Sequence, residues 1–356
     1  MAERTAVLVL LAGLAAGCID PLGQAETRVG EVLGDCVVPV PPGVSSWSAP
    51  VSLEYPGHSL WIWDSVTLDD GRVVTNVAAE VSRAASACDG VVLASDPAGD
   101  PRSLLPLTEE EQRENAERGD GRTLALLPSG GFTHEGAGYL YYERTLLGPG
   151  IFDSELLGTG LCVLEPGVEP SSCRRVVAGG SDILFSPAAR PLNQGGLVDG
   201  ERALIFGCRR AAYLSAPCTV TGVPLGAVED PHLYAYLGGN DHWVLEPENA
   251  AIVLDWTGAI TLSPFRGRFI VTLFDVFETR FDLAFADRPT GEFGQPIALF
   301  HGLAPSSFFP SGGREHSGLR EGSDDLHVTY FTNHEGQGFG LHLASFRVNP
   351  GLEGLE

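Results

Sequence analysis

An all-β fold, specifically a five-bladed β-propeller, is predicted by three observations. Short apolar runs recur along the 356 residues, separated by turn signals drawn from 45 Gly and 25 Pro, the pattern of a turn-rich strand protein. These runs fall into five groups, about 55–75 residues apart, which is the signature of a repeat architecture. At 44% apolar content the chain can bury a large core, and beyond ~250–300 residues a single core splits or repeats. A β-sandwich of this size would need two domains, yet no Pro/Ser linker divides the middle of the chain. Five small sheets arranged radially leave only short edges exposed.

The chain opens on a weakly basic stretch holding Arg4, followed by an apolar run over residues 5–17. That run is too short to span a bilayer comfortably and ends in small residues. Leu14-Ala15-Ala16-Gly17-Cys18 resembles a bacterial lipoprotein signal, with Ala15 where Leu is commoner and Glu3 diluting the basic region. The resemblance implies a signal peptide over residues 1–17 and acylation of Cys18 as the first mature residue. An ordinary secretory signal cleaved nearby is the other reading. Ile19 in the second mature position points to outer-membrane sorting by the enterobacterial rule, so the expected address is the cell envelope, through a lipid anchor. Residues 18–36 read as a flexible tether and residues 37–350 as the propeller.

The first group pairs LWIW with GRVVTNV around the turn Leu68-Asp69-Asp70-Gly71, and GVVLAS follows at 90–95. A helix near 108–118 interrupts the strands. Thr108 and Glu111 have capping-box spacing, acidic residues crowd the first turn, and Gly119 stops it. Its charged face suggests a solvated surface helix without chemistry of its own. The second group is AGYLYYERTLL with GTGLCVL, and the third ERALIFGC with PCTVTGVPL. The fourth is RFIVTLFDV with RFDLAFA, and the fifth DDLHVTYFTN with FGLHLASFRV.

Setting Cys18 aside leaves six cysteines, an even number suited to disulfides in an exported chain, although six allow fifteen connectivities. Spacing favours Cys162–Cys173 and Cys208–Cys218, since each pair flanks a turn-rich segment, with Cys36–Cys88 tying down the N-terminal segment. No Cys-x-x-Cys occurs, and the acidic runs at 238–241 and 322–325 lack alternating calcium ligands. No metal or cofactor is therefore expected. The net charge of −24 excludes nucleic acid as a partner, because that needs a basic footprint. Ser-His-Asp hydrolysis, zinc proteolysis and nucleotide chemistry all lack their motifs.

Four stretches in order resemble the domain of unknown function 4185 family: LWIWDSVTLDDGRVVTN, IFGCRRAAYLSAPCTVTGVPLGAVEDPHLYAYLGGNDHWV, DLAFADRPTGEFGQPIALFHG and REHSGLREGSDDLHVTYFTN. The resemblance spans residues 37–348. It implies a five-bladed propeller akin to furanoside-cleaving glycoside hydrolases, some of them endo-D-arabinanases, and hence hydrolysis by paired carboxylates. One acid protonates the leaving oxygen and a second carboxylate stands opposite it, at about 5–5.5 Å for retention or 6.5–9.5 Å for inversion. On that resemblance Asp64 takes the place of the motif aspartate. The upstream aspartate of active members has no counterpart in GVSSWSAPVSLEY, where Glu54 is the only carboxylate. The closing motif keeps Glu315 and His316 but lacks its second His and following Pro-Glu.

Asp64 is therefore either a funnel acid or a cap on the following turn. Glu143 and Glu315 are the candidate partners. Trp61 and Trp63, two apart and so on one strand face, read as blade packing or as a sugar-stacking platform, and His316 as a ligand contact. The missing upstream aspartate tips the reading toward a propeller that binds glycan or a cell-surface protein without catalysis. The alternative is a glycoside hydrolase on furanose-rich polysaccharide.

Overall fold

A computed structural model describes residues 30–149, 153–166, 173–189, 192–209, 215–256, 258–275, 278–302, 311–320, 324–334 and 338–350. Cys18 and the signal-like segment lie outside the described residues. Strands form five antiparallel sheets arranged as the five blades of a β-propeller.

Blade one runs from the broken inner edge Val44–Trp47 and Pro50–Tyr55 outward through His58–Leu68 to Val73–Val81. Blade two comprises Thr123–His134, Ala137–Leu147, Ser154–Leu164 and Arg174–Arg175. Blade three is built on Gly196–Asp199, Arg202–Cys208 and Pro217–Pro224, with short outer strands beyond. Blade four is Ile260–Phe265, Arg268–Asp275, Arg280–Ala286 and Ile297–His301. Blade five takes Ser311–Glu315, Asp325–His334 and Gly338–Val348, and its outer strand is Gly30–Val38 from the start of the chain. The ring is thus closed by joining the two ends of the sequence.

That closure corrects the tether: residues 30–36, expected to be flexible, already pair with Val348 back to Leu343. Val32 packs against the blade-five core and Cys36 against the blade-one core, and their apolar contacts outweigh the loop-like composition of the segment. All three expected disulfides are present, Cys36–Cys88, Cys162–Cys173 and Cys208–Cys218. Cys36–Cys88 clamps the closing strand to the short helix Ala84–Asp89 of blade one. With its cysteines 52 positions apart, it removes about 4 kcal/mol of unfolded-state entropy in the loop-closure model.

Both faces of each blade are buried against the next, which is why the middle strands read as near-continuous apolar runs. Two other expectations need adjustment. Residues 90–95 form no ladder beyond the Ser95 bridge to Pro101, because Val91 and Leu93 bury their side chains in the blade-one core from an irregular segment. The helix is present as Glu109–Glu117 with its Thr108–Glu111 capping box, but it is not wholly solvated. Glu111 is buried and pairs with Arg144 and Arg175, both of which also hold Asp182.

Candidate functional site

The innermost strands of the five blades surround the axis, each packed on the next, and they run in the same sense. They press together where Gly312 lies on Ala49 and Gly130 on the Gln194 carbonyl, approaches that leave no room for a Cβ. Their ends meet where Thr133 Oγ1 donates to the Glu54 carbonyl at 2.6 Å.

The axis holds a cavity of about 170 Å³ lined by residues of all five blades, from Gly195 and Thr261 at the starts of their strands to Glu54, Thr133 and Arg314 near the ends of theirs. Strand alternation puts Ser52 and Glu54 on the axis and sends Val51, Leu53 and Tyr55 into the core shared with blade two. Glu54 anchors a buried polar network. Its Oε1 accepts from Ser52 Oγ at 2.5 Å and Ser59 Oγ at 2.9 Å and lies 3.2 Å from His316 Nδ1. Its Oε2 accepts from the Gly318 N–H at 2.9 Å. Burial alone would push the Glu54 carboxyl up, but His316, Ser52 and Gly318 together hold it below its ordinary value. An ionised Glu54 only accepts, so Nδ1 of His316 carries a proton, while Nε2 faces Thr329 Oγ1 at 2.8 Å.

Arg314 lies beside this network, 8% exposed. Its Nη2 donates to the Ser129 carbonyl at 3.1 Å. Burial pushes its pKa down to about 10 against the opposing pull of the Glu54 charge.

The sequence-derived candidates are dispersed by the fold. Asp64 lies on the second strand of blade one, between Trp63, which faces Pro50, and Val66, which faces Trp47. It is thus near the strand starts, opposite the break in the inner edge. Ser59, the partner of Glu54 across the ladder, is five residues away, about 17 Å at the strand rise. Burial raises the Asp64 carboxyl, and hydrogen bonds from Ser48 and Ser65 oppose the rise. Glu143, opposite Leu127 and Thr159, is also raised by burial, with Asn193 opposing. Asp64 shares a strand face with Ile62, toward blade two, whereas Glu143 shares one with Tyr141, toward blade three.

Glu315 is corrected as a partner for Asp64, because it stands at the opposite end of the axis. It is fully buried, its Oε1 takes Arg320 Nη2 at 2.7 Å and Nε at 3.0 Å, and its N–H donates to Thr261 Oγ1. Burial raises its carboxyl, and Arg320 pulls the other way. Trp61 and Trp63 are likewise corrected as a binding platform: both are wholly buried in the core between blades one and five. Trp63 stacks on Trp47 with ring centres 5.0 Å apart. His316, also without exposure, orients Glu54 and leans on Trp61 rather than meeting a ligand. Sequence reasoning missed Arg314 and passed over Glu54. Their only signal was a lone carboxylate and a lone guanidinium on short strands otherwise rich in Gly, Ser and Pro.

No protein-family model matches the chain, and no curated protein matches it. Solved structures do. A Bacteroides ovatus protein classed provisionally as a hydrolase matches with a TM-score of 0.62 at 10% identity, over 85% of this chain and 86% of its own. A Dyadobacter fermentans protein of unknown function matches at 0.53 and 9% identity, over 91% and 100%. The GH43_1 enzyme from Xanthomonas citri, complexed with xylotriose, matches at 0.52 and 11% identity, over 90% and 92%. At these identities the likeness is one of fold: the chain shares its propeller with these proteins.

Proposed function

We propose that the chain is a lipid-anchored propeller of the cell envelope that binds glycan without hydrolysing it. One observation carries the absence of catalysis. The inner strands hold three carboxylates, Glu54, Asp199 and Glu315, and all three are at the strand ends. Glu54 is occupied by His316 and its serines, Glu315 by Arg320, and Asp199 is exposed on a hairpin. None is near the start of the blade-one inner strand, beside which Asp64 lies, so no inner-strand carboxylate faces Asp64 across a glycosidic bond. The motif resemblance to the domain of unknown function 4185 family, and a fold shared with an enzyme complexed with xylotriose, support carbohydrate as the ligand class.

Hydrolysis of a furanose-rich polysaccharide is the second reading. It is favoured by the raised carboxyls of Asp64 and Glu143, since a general acid must keep its proton near neutral pH. Reducing-sugar release on a panel of arabinan and other furanosides separates the two. No release is expected from the mature chain, with glycan retention unchanged in Asp64→Asn. Release that disappears in Asp64→Asn would establish the hydrolase instead.

The anchor is tested separately. Cys18→Ser is expected to move the protein from the membrane to the soluble fraction and to abolish incorporation of labelled fatty acid. Membrane retention in that variant would remove the lipid from the proposal. Eleven residues separate Cys18 from Gly30, so the first strand lies within about 40 Å of an acylated cysteine.

A further inference from the structure

We infer that the axial cavity beside Glu54 and Arg314 is a monosaccharide site, taking a neutral sugar unit of pentose or hexose size. The inference deepens the glycan-binding reading and rests on it. Its first support is Arg314. The side chain is more than nine-tenths buried and lines the cavity. Among the described residues it has one hydrogen bond, to the Ser129 carbonyl, and no carboxylate within ion-pair distance. A guanidinium carries five donors, and a buried charge kept without a partner is expensive. The remaining donors need acceptors that the cavity can admit.

The second support is the cavity's mixed character. Ser52 Oγ, its proton given to Glu54, offers acceptor lone pairs on one side, and Arg314 offers donors on the other. The Thr261 hydroxyl, whose oxygen accepts from the Glu315 N–H, keeps its own proton to donate. An anion at Arg314 would meet the ionised Glu54, and a cation at Glu54 would meet Arg314. Hydroxyl groups, donor and acceptor at once, satisfy both. Leu262 and Val198 supply apolar wall for the C–H face of a ring. The volume, about 170 Å³, falls below the ~300 Å³ at which drug-sized pockets begin, so the cavity accepts one sugar unit and not a chain running through it.

Gly195 gives a clean test. A Cβ there meets nothing nearer than Thr261 Cγ2 at 3.9 Å, so the cavity wall accepts the added carbon without striking backbone. The mature chain would be titrated by calorimetry with D-xylose, L-arabinose, xylotriose and acetate, alongside Gly195→Val and Arg314→Met. Saturable binding of a pentose is expected, weakened at least tenfold in both variants, with the unfolding temperature of Gly195→Val held near that of the parent. Xylotriose binding lost in the same variants would identify a chain end as the ligand, and xylotriose exclusion a free sugar; both agree with the site. Pentose binding unchanged in Gly195→Val, or acetate binding with no sugar binding, overturns it. Polysaccharide retained equally by the parent and Gly195→Val would sink this site and leave the glycan-binding reading standing. No carbohydrate retained by the parent would sink both.

Discussion

Glu54→Ala is expected to destabilise the folded protein by about 3–5 kcal/mol, the range for removing one partner from a buried charged network. The substitution leaves His316 Nδ1, the Gly318 N–H and two serine hydroxyls without their acceptor, each an unsatisfied polar group in a closed space. It also leaves Arg314 with no nearby negative charge to offset its burial. Denaturant unfolding at neutral pH measures the loss, and a change below about 1 kcal/mol would show that Glu54 is not the organising group. The pH dependence gives an independent reading. The folded-state pKa of Glu54 lies below its ordinary value. Its contribution is therefore complete above the ordinary carboxylate range and is lost as pH falls through the folded value. The stability gap between the parent and Glu54→Gln should be full at neutral pH and close on acidification below about pH 4. Asp64, Glu143 and Glu315, all raised, have the opposite sign. Their favourable protonated state is fully present below the unfolded value and is lost as pH rises through the folded one.

Trp63→Ala is expected to cost about 3–5 kcal/mol as well, through a cavity in the core and not through any ligand. Trp63 has no exposed surface. It stacks on Trp47, meets Trp61 edge-on at 6.1 Å, and packs in the core that also holds Leu341 and Leu343 of blade five. A lowered unfolding midpoint is the expected result, with glycan affinity unchanged in the fraction that remains folded. Affinity lost without a loss of stability would instead restore the tryptophans as a sugar platform.

The middle strands were legible because each is sandwiched between neighbouring blades. Residues such as Ala203–Phe206, and Ile270–Phe274 apart from Thr272, are apolar on both faces, so they stand out as near-continuous runs. The inner strands were not. Pro50–Tyr55, Gly196–Asp199 and Ser311–Glu315 line a polar axis, and Gly130, Gly312 and Gly313 sit where a neighbouring strand comes too close for a Cβ. Such strands look like turns when read alone. The same blindness moved the candidate site. Asp64 and the tryptophans were conspicuous, but burial assigns the tryptophans to packing and leaves Asp64 under Ser48 and Ser65.

By itself the sequence determined the five-fold β repeat, the three disulfide pairings and the helix cap. All of these follow from local periodicity, local turn chemistry or the spacing of like residues. Only the tertiary structure decided the axial network, since Glu54 and His316 are 262 positions apart and meet because the closing strand Gly30–Val38 brings blade five against blade one. Partners that distant leave no periodic trace. What joins them is ring closure, which follows from burying both faces of every blade at once.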